Sequence, residues 1–333
     1  MSLRTIIFLV NALALAAFVV FAFLAARRKT PPPPLNLDEY YDDETMEGPK
    51  LERYLGAAVL FSAVLAASLP LYWLLEPDRQ ERMSEDFDAD AAQRGKEMFA
   101  LTGAVEPAGR HARVLPLECA RCHGDNGQGG VATQILQPDE PGELPRTVQW
   151  AAPSLDDVLL RFSPEEVAEI ITYGRPGTPM PAWGIDGGGA LPEQGITDLV
   201  AYLQSIQLTP EEAKKRSAER ASEILEANPG LTEGEALFMA NCARCHTKGY
   251  SYGEPGPPGG GGAYGPNLRG GVTLRQFPAL SEGLQDHIDF VTEGSEFQTQ
   301  YGSQGVGTGK MPGFADLLTP EQIDKIVLYE RGL

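Results

Sequence analysis

One pentapeptide, used twice, constrains this chain more than anything else in it: Cys119-Ala120-Arg121-Cys122-His123 and Cys242-Ala243-Arg244-Cys245-His246. All four cysteines lie in these copies, so none remains for a disulfide framework. A C-x-x-C-H run is a signature of c-type haem attachment. Two thiols at that spacing can add to the two vinyl groups of a haem, and the histidine that follows is placed to bind the iron from one face. Two copies therefore predict two covalently attached haem c groups. A four-thiolate zinc site would not need a histidine directly after each pair. A thioredoxin-like redox pair would need a βαβ setting, and none can be read nearby.

A length of 333 residues predicts two or three domains. The formal charge of -19 excludes nucleic acid as a partner, because phosphates require a basic surface. Such an acidic chain would instead steer a basic electron-transfer partner toward itself. Two uncharged runs stand out, Thr5 to Ala26 and Tyr54 to Leu75, each 22 residues long. As helices each would span about 33 Å, enough for the hydrocarbon core of a bilayer. They predict transmembrane helices within residues 1–30 and 54–76, joined by a loop at 31–53. A cleaved signal peptide fits the first run less well. Arg4 alone precedes it while Arg27, Arg28 and Lys29 follow, and no small-residue cleavage site stands before Pro31 to Pro34. Arg27, Arg28, Lys29, Lys50 and Arg53 put the loop in the cytoplasm by the positive-inside rule, leaving everything after Leu75 outside. The expected location is thus a two-pass protein of the cell membrane with its haem domains on the extracytoplasmic side. The acidic stretch Asp38 to Glu47 reads as a solvated loop.

The remainder divides into 77–208, a linker helix at 209–230, and 231–333. In the first part Asp88 to Ala100 reads as a helix carrying Gly95 and Phe99, and Gly124 to Gly130 as a loop. Ser163-Pro164-Glu165-Glu166 has the form of an N-cap, a proline at the first helical position and first-turn acids; that helix should end near Tyr173-Gly174. Met180 follows, between Pro179 and Pro181. Methionine is ordinarily core filler. An iron that only transfers electrons needs a second axial ligand opposite its histidine, however, and a thioether raises the potential relative to a second histidine. The metal ligands expected are therefore His123 with Met180. A helix over Pro192 to Leu208, apolar at Ile196, Leu199, Val200, Leu203 and Ile206, closes this part.

The pattern then restarts. Gly234 and Phe238 repeat Gly95 and Phe99, but Phe238 stands four residues before its cysteine and Phe99 twenty before its own, so the first part carries a sixteen-residue insertion. Gly265-Pro266-Asn267-Leu268 takes the place of Ala152-Pro153-Ser154-Leu155, and a carbonyl in such a turn can accept the proton of the ligating histidine's other nitrogen. This brings Pro153 and Pro266 into the expected sites. Met311 is the second axial candidate, opposite His246, after a run expected to be flexible as far as Lys310. Leu318-Thr319-Pro320-Glu321 should cap a last helix with Ile323, Ile326, Val327 and Tyr329 on its apolar face. Gly95 and Gly234 should let the first and last helix of each part approach closely. His111 and His287 lack a ligand context and read as surface or locally hydrogen-bonded residues.

Both parts resemble class I cytochrome c domains. The first matches through Gly95, Phe99, Cys119, Cys122, His123, Pro153, Met180 and Tyr202; the second through Gly234, Phe238, Cys242, Cys245, His246, Pro266, Met311 and Tyr329. The resemblance implies a mainly α fold, with two transmembrane helices followed by two such domains. The lead Met239 to Thr247 and the ending from Met311-Pro312-Gly313-Phe314 to Leu318-Thr319-Pro320-Glu321 resemble the dihaem cytochrome c subunit of actinobacterial-type menaquinol–cytochrome c reductases. That resemblance implies cytochrome b and iron–sulfur subunits as partners, with a terminal oxidase or another cytochrome c as acceptor. Its members typically carry their anchor after the haem domains, whereas here both helices come first. The dihaem subunit of a cbb3-type cytochrome c oxidase is therefore the rival reading. Either would be an electron relay within a larger oxidoreductase, not catalytic alone. A dihaem cytochrome c peroxidase, from another class, would need one open iron site in place of two methionine-ligated ones. A purely structural anchor would have no use for axially tuned covalent haem.

Overall fold

The computed structural model describes residues 9, 12–13, 16–20, 24, 43–104, 116–138, 141–254, 259–278 and 281–333, with 43–50 by their backbone alone. The chain forms two compact units, Met1–Phe87 and Asp88–Leu333.

In the first unit the main element is the beginning of helix α1, Asp43–Phe99, which is 57 residues long. Its segment Leu51–Phe99 contains a window of mean hydropathy 2.0 with nothing buried, so one helix among the described residues is long and apolar enough to cross a membrane. Leu55, Val59, Leu60, Phe61, Val64 and Leu65 are all exposed. A helix apolar on every side suits lipid better than a protein core. Of the two spans expected, this is the one the structure gives; most of Thr5 to Ala26 lies outside the described residues, and its described positions are helical and exposed.

Two sequence expectations change here. Residues 43–47 are helical where a solvated loop is expected, and the helix expected at Asp88 to Ala100 is the last part of α1. Helix propagation explains both. Once nucleated, a helix gains one hydrogen bond for each residue it fixes, and the polar stretch after Leu75 is rich in good helix formers such as Arg79, Gln80, Glu81 and Arg82. Arg79 also forks onto Glu76 at 2.7 and 2.5 Å, one turn away.

The second unit holds both haem-motif regions. In the first, α2 (Ala120–His123) leads into an antiparallel hairpin of β1 (Gly130–Leu136) and β2 (Arg146–Ala152), registered from Gly130 opposite Ala152 to Leu136 opposite Arg146. Helices α3 (Pro164–Tyr173) and α4 (Glu193–Ser205) follow. As the sequence predicts, Ser163 caps α3 with a reciprocal bond to Glu166 and a proline in the first turn. The second region comprises α5 (Pro210–Ala227), α6 (Glu233–Asn241), α7 (Ala243–His246), α8 (Val272–Gln276), α9 (Glu282–Glu293), a short hairpin of β3 (Gln300–Tyr301) and β4 (Gly305–Val306), and α10 (Pro320–Arg331). The β3–β4 hairpin stands inside the run expected to be flexible. Helix α5, expected as a linker, buries Ala213 and Ala221 in the same core as Phe238, Leu318 and Ile326.

The two regions repeat one packing motif. A Cβ at Gly95 would lie 2.0 Å from the Asp198 carbonyl oxygen, and one at Gly234 2.3 Å from that of Lys325. Only glycine permits either crossing. Beside each, an aromatic pair closes the contact: Phe99 with Tyr202 at 5.1 Å and 52°, Phe238 with Tyr329 at 5.2 Å and 53°. Such tilted rings favour the edge-to-face attraction of aromatic quadrupoles.

Candidate haem-binding sites

Each attachment motif forms a single helical turn that ends on its histidine. Both imidazoles are buried, at 9% exposure for His123 and 8% for His246. Nδ1 of His123 lies 2.9 Å from the Pro153 carbonyl oxygen, and Nδ1 of His246 lies 3.0 Å from that of Pro266. A carbonyl can only accept, so Nδ1 carries the proton and the lone pair of a neutral ring sits on Nε2. That is the nitrogen a metal would take. Burial pushes the His123 pKa down, as does the nearby charge of Arg244, while the bond to Pro153 acts the other way. The net direction keeps this imidazole neutral, the form that ligates.

The Pro266 loop is held against its histidine by backbone bonds: Gly265 donates to the Cys245 carbonyl at 2.7 Å and Gly262 to that of His246 at 2.7 Å. A Cβ at Gly265 would sit 2.6 Å from Cε1 of the ring, so a side chain there would evict the imidazole.

The four cysteines are free. Burial pushes the Cys119 thiol up to about 11 and that of Cys242 well above its ordinary value. Zinc would need thiolates, which such surroundings disfavour. Among the described residues no group of three or more His, Cys, Asp and Glu side chains converges as a metal site. Thiols paired beside a single imidazole fit covalent haem.

The methionines sit on non-helical segments bonded to the turns that follow α3 and α9. Met180 accepts from the Arg175 backbone at 3.1 Å and donates to Thr178 Oγ1 at 3.2 Å. Met311 accepts from the Ser295 backbone at 2.9 Å and donates to Ser295 Oγ at 3.2 Å. Met180 borders the same core as Cys119, and Met311 the same core as Cys242. Each domain thus brings one cysteine of its motif and its methionine to one core. His287 is buried at 3% exposure, not a surface residue: its Nε2 meets Glu330 at 3.0 Å and its ring stacks on Phe277 at 4.6 Å. His111 lies outside the described residues.

Sequence reasoning missed the β1–β2 hairpin and what it touches. Trp150 packs against Tyr252 of the second domain at 5.4 Å, and Arg146 pairs with Glu254 at 2.5 Å. Farther along the seam, Arg216 on α5 forks onto Asp156 at 2.7 Å and also binds Asp157, which Arg161 engages at 2.7 Å. The alternation of buried Val148 and Trp150 with exposed Thr147 and Gln149 was the available signal for β2.

Comparison with known proteins gives a consistent result. The pattern of the family described as cytochrome c oxidase, cbb3-type, subunit III matches residues 109–203 and again 229–329. A cbb3-type cytochrome c oxidase subunit FixP from Sinorhizobium medicae is 30% identical over 118 residues, a segment that covers 32% of this chain and 33% of that protein. The match thus spans about a third of the curated relative. No solved structure matches. Of the two resemblances read from the sequence, these matches favour the oxidase subunit; the reductase subunit is not among them.

Proposed function

The chain belongs to the cbb3-type cytochrome c oxidase subunit III family, and on that premise we propose that it is a membrane-anchored dihaem subunit relaying electrons within a cbb3-type oxidase. One observation carries the reading: two buried histidines, each held by a proline carbonyl at 2.9 or 3.0 Å, each directly following a pair of free cysteines. Attached haem supplies an iron that alternates between ferric and ferrous. Cys119 with Cys122, and Cys242 with Cys245, are the attachment thiols. His123 and His246 would hold the iron of each haem through Nε2, and Met180 and Met311 would offer it a thioether ligand. Pro153 and Pro266 fix the ring orientation and strengthen each histidine as a donor. Burial keeps water from the two imidazoles, and Met180 and Met311 lie half-buried at the edge of each core. The anchor is α1, with the run Thr5 to Ala26 as a second pass and the haem domains extracytoplasmic, as the basic loop between the runs supports.

Purification from native membranes in mild detergent tests this reading. The expected result is two haems per chain and copurification with a haem–copper catalytic subunit. Copurification with a cytochrome b and an iron–sulfur protein, and no haem–copper subunit, would replace the oxidase with the menaquinol–cytochrome c reductase. Peroxide turnover by the isolated chain would point to the peroxidase class.

A further inference from the structure

The two attachment motifs are the same five residues, yet their arginines do different things. Arg121 is exposed, its side chain 69% accessible, and it pairs with Glu118 in its own loop. Arg244 is turned into the seam between the domains, where Nη1 donates to the Ala151 carbonyl at 2.6 Å. Ala151 lies near the end of β2, two residues before Pro153, and Pro153 is the residue whose carbonyl holds Nδ1 of His123. Arg244 in turn lies two residues before His246. A single hydrogen bond thus joins the backbones that present the two histidines.

The surroundings leave the charge of Arg244 without a carboxylate partner among the described residues. The acids of the seam are engaged elsewhere, Asp156 by Arg216, and Asp157 by Arg216 and Arg161. Removal from water strengthens the reach of such a charge. The bond to Ala151 sets this charge two residues from Pro153, whose carbonyl holds Nδ1 of His123.

We propose that Arg244 is the positioning residue that couples the two iron sites: it ties the second attachment motif to the loop that orients His123 and sets a fixed positive charge beside the first site. A cation close to an iron disfavours the more positive ferric state, so Arg244 holds the first site at a higher potential than its own ligands would give. The same bond fixes the geometry across which an electron passes between the domains. The proposal rests on the reading that both motifs carry haem.

The test uses the full chain, haem-loaded and in detergent. Haem is counted first: one haem per chain in the wild type would remove that reading and the proposal together. With two haems, redox titration is compared among wild type, Arg244→Gln, Arg244→Lys and Arg121→Gln. Glutamine keeps a donor for the Ala151 carbonyl and removes the charge. Arg244→Gln should shift one of the two waves to lower potential and slow electron equilibration between the haems. Arg244→Lys should keep that wave near its wild-type position, and Arg121→Gln should move neither. Unmoved waves in Arg244→Gln, or the same shift in Arg121→Gln, would overturn the proposal while leaving the dihaem reading intact. A measurement on the wild type does not depend on any variant folding. Arginine-specific dicarbonyl labelling read by mass spectrometry should modify Arg121 and spare Arg244; labelling of both at the same rate would show that the bridge is absent from the haem-loaded protein.

Discussion

At the scale of single residues, what matters is how few atoms decide the chemistry. A histidine in water exchanges its proton between two nitrogens. Here one carbonyl contact assigns the proton to Nδ1 and thereby aims Nε2. The opposite ligand is the part of the reading most open to direct trial. Met180→His and Met311→His should each lower the potential of one haem, because imidazole favours ferric iron more than a thioether does. Each should also abolish the sulfur-to-iron charge-transfer band of that haem. An unchanged band in the Met180 variant would show that its sulfur is not on the iron. The two cysteine–histidine motifs were legible in the sequence because their spacing is fixed within five residues. Arg244 was not, since Arg121 has the same neighbours in sequence and a wholly different environment in space.

At the scale of elements, local chemistry set the helices and long-range contact set the rest. Ser163 and Thr319 each begin a helix with a reciprocal side-chain bond and a proline in the first turn, and both were readable from four residues. The crossing glycines were readable as well, through their fixed offset from Phe99 and Phe238. Gly95→Ala and Gly234→Ala test that packing: the added methyl meets main-chain oxygen, which cannot swing aside, so each should cost about 1–3 kcal/mol as an overpacked contact. Thermal unfolding of the haem-loaded chain would register it, and an unchanged midpoint in either variant would mean that the helices separate at no cost. The β1–β2 hairpin was hidden for the opposite reason. Its buried Trp150 packs on Tyr252, about a hundred positions onward in the chain, so nothing nearby explains its pattern. The merging of the helix at Asp88 with the apolar span was equally hidden, because no local signal marks where a cooperative helix stops when good helix formers continue.

At the scale of the whole molecule, the seam between the two domains that carry the motifs is the feature with consequences for conditions. Burial works against ionisation of Asp157, yet the charges of Arg161 and Arg216 outweigh it and hold its carboxyl below the usual range. A group with a lowered folded pKa stabilises the folded form above its unfolded value, about 4 for aspartate, and that stabilisation is lost as pH falls through the folded value. Association of the domains should therefore be unaffected at mildly acidic pH and weaken below about pH 4. Arg216→Ala should move that loss to higher pH, as followed by hydrogen exchange at the backbone of 146–158; an unmoved profile would mean that the pair does not hold the seam. The identical pentapeptides gain a last meaning at this scale. Any chemistry that reads only the local sequence meets the same five letters at both places and has no means of telling them apart. Individuality is conferred afterwards, when folding leaves Arg121 in solvent and carries Arg244 into the neighbouring domain. The two motifs share one sequence and are set apart by address.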